Sequence, residues 1–290
     1  MKMREFLLSR AEGDKGKQKD FLSWEAQCEA ARRFDSSLAQ VEEAALSAGL
    51  LPMRYRRNRQ TLSIQDQLQL FRSRVAIIGC GGLGGYHIEQ LARLGVGTLV
   101  LVDPDVFEEH NLNRQLLSSL KSLGKPKVEV GRERVAEINP AVTTVALRTA
   151  FCRENGPKLL YGSAAVVDGL DNALVRRELA DVCREMSVPM VHGAIAGWYG
   201  QVAVQMPGDD ISPLFGRSAH GMETVFGNPA FTPAVIASLQ VAEVTKILLG
   251  RGGAGKMLFV DLSTMAFETL PLWNSGNGPI LEASKQFNCE

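Results

Sequence analysis

The chain has 290 residues, enough for one sizeable α/β core plus an appendage. With 32 Lys+Arg against 32 Asp+Glu it carries no net charge, which argues against nucleic acid or an anionic membrane as the main partner. Its five cysteines, an odd number without any CxxC, and its four histidines without ligand spacing argue against a disulfide framework and a zinc site.

In chain order, the first stretch is charged and lacks the apolar core of a secretory signal. No apolar run reads as long enough to span a bilayer, so the expectation is a soluble, cytoplasmic protein. Residues 1–53 read as a helical N-terminal extension, with amphipathic helices over 21–33 and 37–48, Ser36 or Ser37 as N-cap and Gly49 as stop. A short helix over 60–74 leads into Val75, Ala76, Ile77 and Ile78, the pattern of a buried parallel strand.

That strand ends in Gly79-x-Gly81-Gly82-x-Gly84, and a helix over 82–94 follows. A second strand, 97–103, delivers Asp103, 24 residues after Gly79. This order predicts a nucleotide-binding Rossmann unit. Small residues let backbone N–H groups approach phosphates at a helix N-terminus, and the acid accepts from ribose hydroxyls. NAD enzymes share the pattern. The long connection 104–124 then carries Asn111 and Arg114, and Lys127 lies in the next helix, 125–138. Such cations suit a triphosphate, whose pyrophosphate leaving group gains charge in the transition state.

Strands 142–148 and 164–168, a helix over 172–186 and a strand over 188–191 come next. Residues 198–206 alternate as an antiparallel strand does, and 207–228 reads as a polar, mobile loop. A helix over 233–249 and strands 256–261 and 266–270 close a domain spanning 54–273, before a flexible tail over 274–290. The expected class is α/β: a Rossmann-like, mostly parallel sheet flanked by helices, with an antiparallel C-terminal extension of the sheet.

The strings RNRQ (57–60), GCGGLG (79–84), VDPD (102–105), NLNRQ (111–115), GKPKVE (124–129), INP (138–140), DGLDN (168–172) and SLQVAEVTKILLG (238–250) together resemble the ThiF/MoeB/HesA adenylyltransferases, relatives of the ubiquitin-activating enzymes. The resemblance implies ATP and Mg²⁺ as cofactors and a homodimer. As partner it implies a small ubiquitin-like sulfur-carrier protein with a Gly-Gly C-terminus, adenylated on its glycine carboxylate. By resemblance, Gly79, Gly81, Gly82 and Gly84 cradle phosphates and Asp103 holds the ribose. Asn111, Arg114 and Lys127 bind phosphate oxygens, and Asp171 holds Mg²⁺ or positions the α-phosphate. Arg59 is inserted from the neighbouring subunit onto the γ-phosphate, a task suited to a bidentate, always charged fork. On the residues alone, Arg114 and Lys127 also read as solvated charges, Asp103 as a turn cap, Asp171 as a helix N-cap, and Arg59 as one of a surface cluster with Arg54, Arg56 and Arg57.

Many relatives carry two CxxC pairs for a structural zinc, and those that form thioesters or persulfides use a cysteine in the loop corresponding to 207–228; this chain has neither. The expectation is adenylation without a covalent intermediate. Cys80 reads as a small buried residue ahead of a reactive thiolate. An apolar patch around Ile195, Trp198 and Tyr199 is a candidate seat for the carrier, with a core-facing Trp198 as the alternative. Three other readings compete. They are an NAD-binding oxidoreductase, for which no catalytic Lys, Tyr or His motif is visible, a non-catalytic nucleotide-binding scaffold, and a dehydratase-type relative acting on a modified tRNA base.

Overall fold

The computed structural model describes residues 2–13, 20–215 and 226–272; the expected tail and the middle of the expected loop over 207–228 lie outside these. Serine caps set the second and third helices. After α1 (Met3–Ser9), which the sequence pattern missed, and β1 (Phe21–Leu22), the Ser23 hydroxyl accepts from the Ala26 N–H to start α2 (Trp24–Arg33). Ser37 forms a reciprocal box with Gln40 at the start of α3 (Leu38–Ser47). The helix expected from residue 21 starts later because Phe21 and Leu22 pair in parallel with β2 (Leu51–Pro52).

Phe6, Leu7, Leu22, Val41 and Leu50 give this unit a small core of its own. A buried polar joint ties it to the rest. The Tyr55 hydroxyl donates to Glu42 and accepts from Asn139 of the INP string, both at 2.7 Å, and Arg54 pairs with the same two residues. Burial pushes the Glu42 carboxyl up, and Arg54 opposes it.

A 3-10 turn (Met53–Asn58) and α4 (Ile64–Arg72) lead to one eight-stranded sheet. Its parallel half is β3 (Arg74–Ile78), β4 (Thr98–Val102), β5 (Thr143–Leu147), β6 (Ala165–Asp168) and β7 (Met190–Ala196). Three strands, β8 (Tyr199–Gln205), β9 (Lys256–Asp261) and β10 (Ala266–Pro271), extend it antiparallel, in the order β10-β9-β8-β7-β6-β3-β4-β5. The connecting helices are α5 (Gly82–Leu94), α6 (Lys127–Ile138), α7 (Gly156–Leu160), α8 (Ala173–Glu185) and α9 (Phe231–Leu248). Because α5, α6 and α9 cover one face and α7 and α8 the other, Val75 to Ile78 of β3 are fully buried.

Two expectations are corrected. The strand expected over 188–191 runs on as β7, because His192 to Ala196 pair antiparallel with Ala203 to Tyr199; a histidine and a glycine interrupt the apolar pattern there. Helix α9 is apolar enough by length and composition to cross a bilayer, yet it lies against α5 and β7 in the core.

Ile78 stands opposite both Val102 and Asp168, so the chain leaves β3, β4 and β6 at one level. Strands β4 and β6 flank β3 on opposite sides, which opens a crevice where the strand order reverses, the usual ligand position in open α/β sheets.

Candidate active site

The turn after β3 uses its glycines in two ways. Gly79 takes φ +90°, and a Cβ there would lie 2.6 Å from the Gly169 carbonyl oxygen, while one on Gly84 would lie 1.9 Å from that of Gly79. The chain's own packing demands these two. On Gly81 and Gly82 a Cβ would meet only the Gln115 amide at 3.5 Å and Pro233 at 3.8 Å. No side chain caps α5 at Gly81, so its first N–H groups remain available to an anion, together with the helix's partial positive charge.

Asp103 closes this turn. It is 5 % exposed, and its carboxylate accepts from the Cys80 N–H at 2.7 Å and the Asp105 N–H at 2.8 Å. Burial pushes its carboxyl up, opposed by Lys127. Each oxygen retains a lone pair for a hydroxyl. Cys80 is fully buried, and desolvation, then Asp103, push its thiol well up, the opposite of a reactive thiolate. Lys127 is buried with Nζ 3.0 Å from Asp105, a carboxylate that is itself 62 % exposed.

The connection after β4 lies across α5, with Gln115 and Leu116 against Gly81 and Gly85, and so brings Arg114 to the mouth of the crevice. Asn111 is buried, and its Oδ1 accepts the Glu108 N–H at 3.0 Å, which shapes the loop. The Arg114 guanidinium donates to the His110 carbonyl at 3.1 Å and to Asn113 Oδ1 at 2.9 Å; it has no carboxylate partner among the described residues. Sequence reasoning passed over Gln115, the last letter of NLNRQ. Its amide is buried, and its Oε1 has no partner among the described residues, a state that calls for a ligand or a water.

Beyond β6, Asn172 caps α8, accepting the Leu174 and Val175 N–H groups at 2.9 and 3.2 Å. The capping role open to Asp171 is therefore filled, and Asp171 is exposed with no partner among the described residues. Asp168 is instead fully buried and bonded to His192 at 2.7 Å, a pairing the sequence did not suggest. Arg59 touches none of this set: it pairs with Asp20 and lies over the Phe21 ring, 5.2 Å from its centroid. Further along the sheet, Trp198, Tyr199, Phe226, Phe231 and Phe267 are 39–50 % exposed, and the Trp198 ring lies tilted against Phe231 with centroids 4.5 Å apart. Ile195, expected in this patch, is only 8 % exposed because it points into the core.

The ThiF family pattern matches residues 55–278. The chain belongs to the ThiF family. It is 36 % identical to the SAMP-activating enzyme E1 of Haloferax volcanii, over 74 % of this chain and 83 % of that protein. It is 34 % identical to the molybdopterin-synthase adenylyltransferase of Salmonella typhimurium, over 75 % of this chain and 92 % of that one. Among solved structures, Escherichia coli MccB with ATP matches with a TM-score of 0.67 at 21 % identity, covering 75 % of this chain and 71 % of that one, a likeness of fold. A nucleoside triphosphate fits what this ThiF-family chain presents: open glycine backbone, an uncapped helix N-terminus, and an arginine with no carboxylate partner among the described residues.

Proposed function

We propose that the chain is an ATP-dependent adenylyltransferase, active in the cytoplasm, that activates the C-terminal glycine carboxylate of a small ubiquitin-like sulfur-carrier protein for sulfur-containing cofactor synthesis. One observation carries the reading. Beside the uncapped start of α5, Arg114 has no carboxylate and Asp171 no cation among the described residues, the complement of a phosphate–metal ligand.

The carrier carboxylate is ionised at neutral pH. Its oxygen forms a bond to the α-phosphorus as the bond to the bridging oxygen breaks, and pyrophosphate leaves with the electron pair. No general base is needed. Gly81 and Gly82 let the backbone approach the phosphates, Asp103 accepts from the ribose, and the side-chain N–H groups of Asn111 and Gln115 donate to phosphate from the crossing loop. Arg114 and Lys127 meet the charge that builds on pyrophosphate, Lys127 by exchanging Asp105 for phosphate. Asp171 would hold Mg²⁺, which would supply positive charge to screen the two anions as they meet. With no cysteine in 207–228, the adenylate goes on without an enzyme thioester. The carrier's body seats on the aromatic patch of Trp198 and Tyr199. We assign Arg59 to the γ-phosphate of a partner subunit in a two-fold dimer, after release from Asp20.

Pyrophosphate exchange into ATP, with a carrier ending in Gly-Gly, tests this. Asp171→Ala and Arg114→Ala should each lower the rate by about 10²–10³, the usual loss when a stabiliser of transition-state charge is removed. Exchange at the wild-type rate in both variants, or tight NAD binding in place of ATP, overturns the assignment.

A further inference from the structure

His192 is fully buried on β7, beside Asp168 at the end of β6. Its Nδ1–H donates to Asp168 Oδ2 at 2.7 Å, and its Nε2 accepts from the Gln201 amide on β8 at 3.1 Å. Two partners of opposite kind fix both the tautomer and the ring orientation. Burial holds the imidazole below its usual range, so it stays neutral beside the Asp168 carboxylate and the Arg176 guanidinium.

What Asp168 holds is the loop to Asp171. Its Oδ1 accepts the Leu170 N–H at 2.9 Å, and Arg176, whose Nε lies 3.3 Å from Asp168 Oδ2, donates to the Leu170 carbonyl. Both peptides of Leu170 are thereby gripped, and the second of them carries the Asp171 nitrogen. Across the loop, the Gly169 N–H donates to Ile78 at 2.8 Å, and a Cβ on Gly169 would lie 2.5 Å from the Gly79 oxygen, so the loop has no slack toward the glycine turn. The two oxygens of the Asp168 carboxylate are divided between these partners, Oδ1 to the Leu170 N–H and Oδ2 to His192 and Arg176.

We propose that His192 is a positioning residue for adenylation, acting through Asp168 on the loop that presents Asp171. The inference rests on the role given to Asp171 above. Without the imidazole N–H, Asp168 swings toward Arg176, the Leu170 N–H loses its acceptor and Asp171 shifts. Misplacement of a reacting group by about 1 Å can cost roughly 10²-fold.

Two amide variants separate positioning from packing. His192→Asn places an N–H near the Nδ1 position, within reach of Asp168, whereas His192→Gln places its amide near Nε2, toward Gln201. Full-length protein with its carrier is followed by kcat for pyrophosphate exchange, and by the gain in ATP affinity on adding Mg²⁺, from titration calorimetry. Relative to wild type, His192→Gln should lower kcat by about 10–100-fold and lose most of the Mg²⁺ gain, with KM for the carrier unchanged. His192→Asn should restore most of both. Equal behaviour of the two variants, or a worse His192→Asn, overturns the proposal. If neither folds, Gln201→Met, at a half-buried site, frees the ring to flip and should weaken the Mg²⁺ gain several-fold; an unchanged gain there overturns it. Asp171→Ala is run alongside. If that variant exchanges normally, the reading of Asp171 itself fails, whereas an inactive Asp171→Ala with a normal His192→Gln removes only the positioning role.

Discussion

Asp168 and Asp171 belong to one five-residue string, DGLDN, and their surroundings are opposite. Asp171 stands exposed at the mouth of the crevice with no partner among the described residues, and Arg114, half-buried in the crossing loop, has only the His110 carbonyl and the Asn113 amide oxygen as partners there, with no carboxylate. Asp168 lies in a buried seam. His192, Arg176 and the Leu170 N–H satisfy its carboxylate, and the Gln240 amide bonds its carbonyl at 2.9 Å while accepting from His87 at 2.9 Å. The seam thus runs from the phosphate-loop helix α5 through α9 to β6, β7 and β8. Charge left unpaired at the mouth is free to bind a charged ligand, whereas charge paired within the seam fixes where the mouth stands.

The comparison breaks most visibly if stability and rate fail to separate. Asp168→Ala strands Arg176 in the interior and should cost about 3–5 kcal/mol in denaturant unfolding. Asp171→Ala should stay within about 0.5 kcal/mol of wild type while exchange collapses. Equal stability losses at the two positions would abolish the distinction. Acid sharpens it next. Burial holds His87 neutral down to about pH 4 against an ordinary value of 6.5. The unfolded chain therefore takes up a proton that the folded seam refuses. Stability from this source is complete above pH 6.5 and declines as the pH falls toward 4, by about 3 kcal/mol, and the lowered value at His192 acts in the same direction. Melting of His87→Met across this window should show a shallower slope; an identical slope removes the seam as its cause. The smallest effect concerns a mouth completed from outside. Mixing inactive Arg59→Ala and Asp171→Ala subunits should return about half the wild-type rate per heterodimer, since one site then carries both defects and the other neither. No recovery despite proven subunit exchange means that Arg59 acts in its own subunit or not at all.

The sequence made the mouth legible and hid the seam. Gly79 to Gly84, Asp103 and Lys127 could be placed because each follows a strand or opens a helix whose period is plain, whereas Arg114, in a long connection, was marked only by its string NLNRQ. His192 and Asp168 are partners 24 residues apart, joined only by strand pairing, and no local pattern reports such a pair. The central parallel strands β3, β4 and β6 read well because both of their faces are apolar. The second half of β7 did not, because HGAIA lacks the alternation of a half-buried strand. Asn172 took the cap that Asp171 was offered, a choice one residue wide that propensity does not resolve. In the N-terminal unit the Ser37 cap was readable and the Ser23 cap was not, while a two-residue strand pair and the joint of Tyr55, Glu42 and Asn139 depend on segments far apart in the chain. Arg59 was singled out while its partner, Asp20, was not.

The division among the glycines bears on how such motifs should be read in genomes. A descendant that had abandoned nucleotides would still need Gly79 and Gly84, because a methyl group at either collides with backbone. Their persistence testifies to ancestry. Drift would appear first at Gly81 and Gly82, where the chain's own packing leaves room for a Cβ and only the phosphate proposed above would object. Those two letters are the ones to inspect when deciding whether a distant homologue still turns over.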